Sequence, residues 1–417
     1  MHANCQKIFG RNWVGLRRHT DIMNVLAIQQ SPDFKPATDK MPNTSNSFRS
    51  TITRFFRIVV YTTTVLQLAT TTSLAASPIQ NRDAVYKYLE HLSSPEVHQV
   101  LSGQNCGHGN DIMHIYRDLV IQLEEEVSLK IALVGLDYGL VDQVDYQKAN
   151  ATLIKHWEEG GLVTISWHAP NPWTGGDSWD TSSANLQNLT FPRSPEYRTW
   201  MKELRSVALA LQELRDAGVV VLWRPLHEMN GNWFWWGMES HPGNPEPYVA
   251  LWRQMHEVFT EDFGLNNLLW VYSVIEENDP SWTRPVTYYY PGNDVVDIVG
   301  VDAYTDVIQI KDYKALTSFG KPIGLTEFGP GTALSGGGDY DNSLTIEALQ
   351  AKYPKIAFWL QWHDWQKDGE WVRKSIRHNQ NSDQLFKDPR VITLERVDWK
   401  SYLNTIDLNN GKDRRPY

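Results

Sequence analysis

Eight short apolar runs, separated by helix-like stretches, restrict this 417-residue chain to a small set of folds. They are Val100–Gln104, Ile131–Asp137, Leu162–His168, Val219–Glu228, Leu268–Ser273, Asp297–Tyr304, Pro322–Phe328 and Ile356–His363. Most are near-continuous in Val, Ile, Leu and aromatic residues and do not alternate with polar ones. That pattern belongs to strands covered on both faces, as in parallel sheets. The clearest helical stretches are Asp111–Val127, Asp145–Glu159, Pro195–Ala217, Pro247–Phe263 and Ser343–Lys352. In Pro195–Ala217 apolar residues recur at Trp200, Leu204, Val207, Leu211 and Leu214, three or four apart, and Gly218 follows as a stop. Strand and helix alternating in this way predict an α/β fold, a (β/α)8 TIM barrel forming a single catalytic domain over residues 77–405. The competing fold is a doubly wound open sheet, but no glycine-rich phosphate loop follows the first run. No linker or internal repeat marks a second domain, and residues 406–417 form a polar tail.

Charge narrows the partners. The formal net charge is −10; residues 1–57 carry nine Lys and Arg against three Asp and Glu, a balance of +6, which leaves −16 for the rest. An acidic body repels phosphate backbones and anionic lipid, so nucleic acid and membrane surfaces are poor partners and a neutral substrate is a good one. The basic N-terminal part reads as an export signal. Arg49, Arg54 and Arg57 precede an uncharged stretch over 58–75, and Ser73, Ala75 and Ala76 supply a small-residue cleavage site. A membrane anchor is the alternative, disfavoured by the short, threonine-rich stretch. Met41 is a candidate start, since 41–76 alone has the anatomy of a signal. Residues 1–76 are therefore set apart from the fold, and the mature protein is expected to be secreted and monomeric. Cys5 leaves with the presequence and Cys106 remains alone, so no disulfide is expected. Two glycosylation sequons occur, at Asn150 and Asn188.

In barrels of this kind, chemistry collects at the C-terminal ends of the strands. Glu228 ends the fourth run and Glu327 the seventh; His168 ends the third, Tyr304 the sixth, and Trp362-His363 the eighth. Two carboxyls on one rim, among aromatic side chains, suit cleavage of a glycosidic bond. One gives a proton to the leaving oxygen and the other attacks or stabilises the sugar cation. Crowding of Glu228 by Trp233, Trp235 and Trp236 would desolvate it and hold its proton, as a general acid needs. The structural alternative is a strand-end pair with Arg224. Glu327 needs donors around it, and Tyr304 is the candidate. A gap of about 5–5.5 Å between the carboxyls means retention and about 6.5–9.5 Å inversion. His227-Glu228 lacks the second histidine of a helical zinc motif, and this chemistry calls for no metal or organic cofactor.

Eighteen tryptophans are far above ordinary usage. They cluster at 167–173, 233–236 and 359–365, where an indole face can carry the apolar face of a pyranose while amides and histidines take its hydroxyls. Trp157, Trp200 and Trp252 lie in helices and read as packing. His168 reads either as a sugar ligand or as a satisfied strand-end histidine. Asp137 and Asp302 either orient loops or meet substrate. Asp364 beside His363 resembles a relay pair, though a rim hydrogen bond explains it as well.

The segment Trp223-Arg-Pro-Leu-His-Glu-Met-Asn-Gly-Asn-Trp-Phe-Trp-Trp-Gly237 closely resembles the acid/base motif of glycoside hydrolase family 26, most members of which are endo-β-1,4-mannanases. Leu325-Thr-Glu-Phe-Gly329 resembles its nucleophile motif, and Leu101-Ser-Gly-Gln104 and Ser166-Trp-His-Ala-Pro-Asn-Pro172 are similar to it as well. The resemblance spans about residues 85–405. It implies a retaining mechanism with Glu228 as acid/base and Glu327 as nucleophile, and β-mannan or a related neutral polysaccharide as substrate. His227 and Trp233 would contact sugar near the cleavage point, Tyr304 would bond the nucleophile, and His168 and Trp362 would line the site; Trp173, from the first aromatic cluster, is a further candidate for sugar contact. One departure stands out: where the family often has a His-Pro-Tyr-like sequence, this chain has Val301-Asp-Ala-Tyr304. Some relatives cleave β-1,3-xylan or mixed-linkage glucan, and the loops that choose among these glycans cannot be matched. A carbohydrate-binding barrel without activity is a further alternative, and two carboxylates speak against it.

Overall fold

A computed structural model describes residues 76–406, apart from 108–111, 140–142, 183–184, 242, 277–278 and 333–335. The proposed signal region before residue 76 and all but the first residue of the proposed tail lie outside the described residues. Eight parallel strands close into a barrel. In chain order they are β1 (Val100–Leu101 and Gly103–Asn105), β2 (Leu133–Asp137), β3 (Leu162–Trp167), β4 (Val221–Pro225), β5 (Leu268–Ile275), β6 (Ile298–Tyr304), β7 (Ile323–Gly329) and β8 (Ile356–Gln361). Each pairs with its sequence neighbour, and β8 returns to β1 through Leu101 opposite Phe358 and Gln104 opposite Gln361. A short strand, Val391–Ile392, also lies parallel to the first half of β1.

The strands form where the chain is apolar, but they are shorter than the runs. β4 ends at Pro225, not at Glu228, because a proline without an N–H closes the ladder there. β8 ends at Gln361, two residues before His363. β1 is interrupted at Ser102, and the glycine that follows marks a close approach. A Cβ on Gly103 would sit 2.3 Å from the Trp359 carbonyl oxygen, so β8 approaches closer than a side chain permits. Inside the barrel, Gly324 makes room for the Phe358 ring, which a Cβ would meet at 2.2 Å.

Helices cover the outside. Pro195–Asp216 begins at Ser194, whose hydroxyl accepts the Tyr197 N–H at 3.0 Å, with Pro195 in the first turn. Its stripe of Trp200, Leu204, Val207, Leu211 and Leu214 is buried, and Gly218 ends it at φ +74°. Gln143–Glu158 and Ser343–Lys352 lie where expected. The stretch after residue 111 is two helical pieces, Ile112–Tyr116 and Gln122–Val127, joined by a π-type turn, and Glu246–Glu257 likewise ends in a π-type turn. Pro78–Leu92 is an additional helix, with a buried stripe of Ala84, Val85, Tyr88, Leu89 and Leu92, capped reciprocally by Ser77 and Gln80.

Many tryptophans belong to the layer between strands and helices. Trp167 stacks on Trp200 at 5.4 Å and on Trp223 at 6.1 Å, Trp252 meets Trp270 edge-on at 5.6 Å, and Trp157 stacks on Trp399 at 4.5 Å. The helical trio Trp157, Trp200 and Trp252 is thus packing, as read from the sequence. Two residues that could have been modified or reactive are closed off. Asn150 is fully buried, accepts from Tyr138 and donates to the Ala210 carbonyl at 2.9 Å, so this sequon is closed to glycosylation in the folded barrel. Cys106 is a buried free thiol whose pKa burial pushes up, the opposite of an activated nucleophile.

The β1–β8 seam makes a direct prediction. Gly103→Ala forces backbone apart at a position where no side chain can yield. It should lower stability by about 1–3 kcal/mol, read as a reduced midpoint in thermal or urea unfolding. An unchanged midpoint would show that the seam has slack.

Candidate active site

The C-terminal ends of the eight parallel strands share one mouth, but the decisive side chain was not among those singled out for the site. Arg224, on β4, is buried beneath the mouth. Its guanidinium donates to Asp302 Oδ2 at 3.0 Å and to Glu327 Oε1. It does not pair with Glu228, as the structural alternative required. Burial works against its charge, yet the carboxylates of Asp302 and Glu327 outweigh that and raise its pKa above the ordinary value. Asp302 is held from below by Thr326 Oγ1 at 2.7 Å and Ser273 Oγ at 3.0 Å. Asp302 therefore orients Arg224 and is not a rim ligand.

Glu327 lies two residues before the end of β7, with two donors on its oxygens. Arg224 reaches Oε1, and the Tyr304 hydroxyl donates to Oε2 at 2.7 Å. Tyr304 is thus the donor the sequence suggested, despite the altered residues before it. Burial, then the charges of Glu327 and Glu228, push its pKa well up, so it keeps the proton it donates. His227 Nε2 lies 3.4 Å from Glu327 Oε1. Burial, Arg224 and His168 hold the His227 pKa well below the usual range, so the ring is neutral.

Glu228 sits three residues past the end of β4, in a turn that strains the backbone. Leu226 and Glu228 have φ of +47° and +54°, a region that costs a residue with a Cβ about 1–3 kcal/mol. The turn is held at many points. The Glu228 N–H donates to the Ser273 carbonyl at 2.9 Å, and the Tyr248 hydroxyl to the Leu226 carbonyl at 3.0 Å. Trp236 Nε1 donates to the His227 carbonyl at 2.7 Å, and Asn230 spans to both backbone groups of Ile275. The carboxyl itself receives one side-chain donor, Trp233 Nε1 to Oε2 at 2.7 Å. Burial raises its pKa well above the ordinary value, and the negative charges of Asp302 and Glu327 add to this. One arginine faces three acids, and Glu228 is the one it does not touch.

The aromatic surround divides in two. Trp362 lies with its ring 5.8 Å from the Arg224 guanidinium carbon, and His168 approaches it at 6.4 Å. His168 is held by Asp137, whose Oδ2 is 2.6 Å from its Nδ1, and it meets His227 edge-on at 4.4 Å. Asp137 therefore orients a site histidine. Trp235 and Trp236 are fully buried; Trp235 donates to the Ala169 carbonyl and Trp236 to that of His227, so both support the turn rather than bonding the carboxyl. Trp173 packs edge-on against Trp235 at 5.7 Å. Two tryptophans the sequence reading passed over lie beside the site residues. Trp179 stacks on His168 at 5.3 Å, and Trp282 meets Trp233 at 5.8 Å. They come from loops after β3 and β5 without a strand-end position to mark them. Asp364 and His363 are not a pair: Asp364 bonds His378 at 2.5 Å, and His363 bonds Asn105 at 2.9 Å.

Among the described residues, His227, Asp302 and Glu327 form the one group with metal-ligand spacing, their atoms within 4.8 Å of one another. The Arg224 guanidinium already lies on both carboxylates, so a metal ion there would have to displace it.

A closed parallel barrel with a proton-holding carboxyl and a donor-ringed carboxyl at its mouth defines a glycoside hydrolase. The comparisons with known proteins say which kind. The model of glycosyl hydrolase family 26 matches residues 75–396, and the chain belongs to that family. It is 35% identical over 336 residues to mannan endo-1,4-beta-mannosidase A and B of Caldalkalibacillus mannanilyticus, covering 77% of this chain and 62% of that protein. It is 34% identical over 324 residues to a mannan endo-1,4-beta-mannosidase of Bacillus subtilis, covering 74% of this chain and 84% of that one. A solved structure of a Bacillus subtilis mannanase superposes with a TM-score of 0.64 at 31% identity, over 76% of this chain and 95% of that one.

The raised pKa of Glu228 has a consequence for stability. Below about pH 4.3 the residue is protonated in both states. As pH rises further, the unfolded chain ionises while the native site keeps its proton, so the wild-type protein loses stability until the raised native pKa is passed. Glu228→Gln does not titrate. Its melting temperature should exceed that of wild type by a margin that grows with pH through this interval, reaching roughly 1–3 °C. A margin constant in pH would mean that Glu228 ionises normally.

Proposed function

We propose that the protein is a secreted endo-β-1,4-mannanase that hydrolyses internal bonds of mannan-type polysaccharides by double displacement. The observation that carries this reading is the division between the two glutamates. Glu327 faces Arg224 and Tyr304, two donors that stabilise a negative charge, whereas Glu228 is buried without a cationic partner. In the first step Glu327 attacks the anomeric carbon while Glu228 passes its proton to the departing glycosidic oxygen. In the second, Glu228 takes a proton from water, and the resulting hydroxide displaces Glu327. Tyr304 steadies Glu327 through both steps. Trp233 fixes the Glu228 carboxyl, and His227, His168 and Trp362 supply the polar and apolar faces that a pyranose needs.

The mannan assignment is supported by the names of the relatives, and the export assignment by the uncharged stretch at 58–75 behind three arginines. Among the described residues, no helix is long and apolar enough to cross a membrane.

A reducing-sugar assay with product sizing on mannan, galactomannan, β-1,3-xylan and lichenan tests the substrate. Mannan and galactomannan should be cut to mixed oligosaccharides by the wild type. Glu327→Ala and Glu228→Ala should each lose nearly all turnover with the fold intact by circular dichroism. Wild-type activity in either variant would end the assignment, and preference for lichenan or xylan would move the protein to another specificity. The stereochemical course is read by proton NMR of the first product, which should keep the β configuration. An initial α product would replace double displacement with direct attack by water.

A further inference from the structure

Beyond the barrel rim, β8 runs on into a two-stranded hairpin, Trp365–Lys367 with Glu370–Val372. Its register sets Trp365 opposite Val372 and Gln366 opposite Trp371. Val372 is buried, so its neighbour Trp371 faces the other way. At 50% exposure it is the one tryptophan among the described residues that stands open to solvent.

The indole is supported on one side only. The Arg373 guanidinium lies 4.2 Å from the ring centre. Arg373 is itself anchored, at 3.3 Å from Asp364 Oδ2 and 3.2 Å from His378 Nδ1. Asp364 in turn accepts the backbone N–H groups of Lys374 and Ser375 at 2.6 and 2.8 Å. A large apolar ring at the surface gains nothing from burial. Here a fixed cation beneath one face sets its orientation and leaves the opposite face to water. That arrangement is the build of a stacking platform.

Its position follows from the chain. Trp362 is at the carboxylate cluster, 5.8 Å from the Arg224 guanidinium carbon. Gln366, the ladder partner of Trp371, is four positions after Trp362, which places the platform within ~20 Å of the cluster. On the other side the hairpin is tied to β7. Lys374, fully buried, donates to the Pro330 carbonyl and to that of Thr332 at 2.9 Å, in the loop that leaves β7 just after Glu327. The strands that carry Trp362 and Glu327 therefore both brace the hairpin at the edge of one mouth.

The geometry points to the free face of Trp371 as an outlying sugar-stacking position, which takes a neutral β-linked hexopyranosyl residue of the substrate a few units from the bond that breaks. This rests on the reading of the site as a polysaccharide hydrolase. The test is kcat/KM for wild type, Trp371→Ala and Trp371→Phe over a series of oligosaccharides of rising length and on the polymer. The substrate series is built from whichever glycan of the panel the wild type cuts. A wrong polysaccharide then shows in the wild type, and a wrong platform only in the variants. Trp371→Ala should lose roughly three- to tenfold on the polymer and the longest oligosaccharides, mainly through KM, and nothing on the shortest that is cut. Trp371→Phe should keep most of the wild-type value. Equal loss at every length, or none at any, overturns the inference.

Discussion

One buried arginine holds the reaction centre together. Arg224 is taken out of water, at a cost that only close carboxylates can offset, and it finds two of them on neighbouring strands. Strand pairing puts Asp302 beside Glu327, and Arg224 comes across the barrel from β4 to join them. Without the cation, two carboxylates would lie side by side in a nearly dry place. With it, Glu327 has a cationic donor on its carboxylate, and Glu228 has none. The different duties of the two glutamates are thus set by which of them the guanidinium reaches.

The strained turn after β4 serves the same end. The Glu228 carboxyl is placed by its backbone, with donors and acceptors from β5, the Tyr248 hydroxyl and the Trp236 indole fixing the path. Strain of this kind persists only where surrounding contacts over-determine it. The tryptophans of the following segment share out two tasks: Trp233 bonds the carboxyl, while Trp235 and Trp236 wedge the turn from behind.

Much of this was legible in the sequence. The eight runs gave the strands because parallel strands buried on both faces need unbroken apolar residues. Glu228, Glu327 and Tyr304 could be found because a barrel concentrates its polar side chains at strand ends. Arg224 was passed over in that reading because it lies within an apolar run, where a charge makes sense only once its partners are known. Trp179 was missed because it sits in a loop whose path no periodicity reveals. Asn150 carried a modification signal that its place on the inner face of a helix cancels.

The closing seam has a consequence for how such a molecule comes into being. β1, near the start of the domain, is flanked by β8 and by Val391–Ile392, almost three hundred residues later. One edge of β1 is met early by β2, but the other stays open until nearly the whole domain has emerged, and an open parallel edge is a template for the wrong neighbour. Val391–Ile392 is therefore a late latch on Val100 and Leu101, whose ladder bonds wait for it longest.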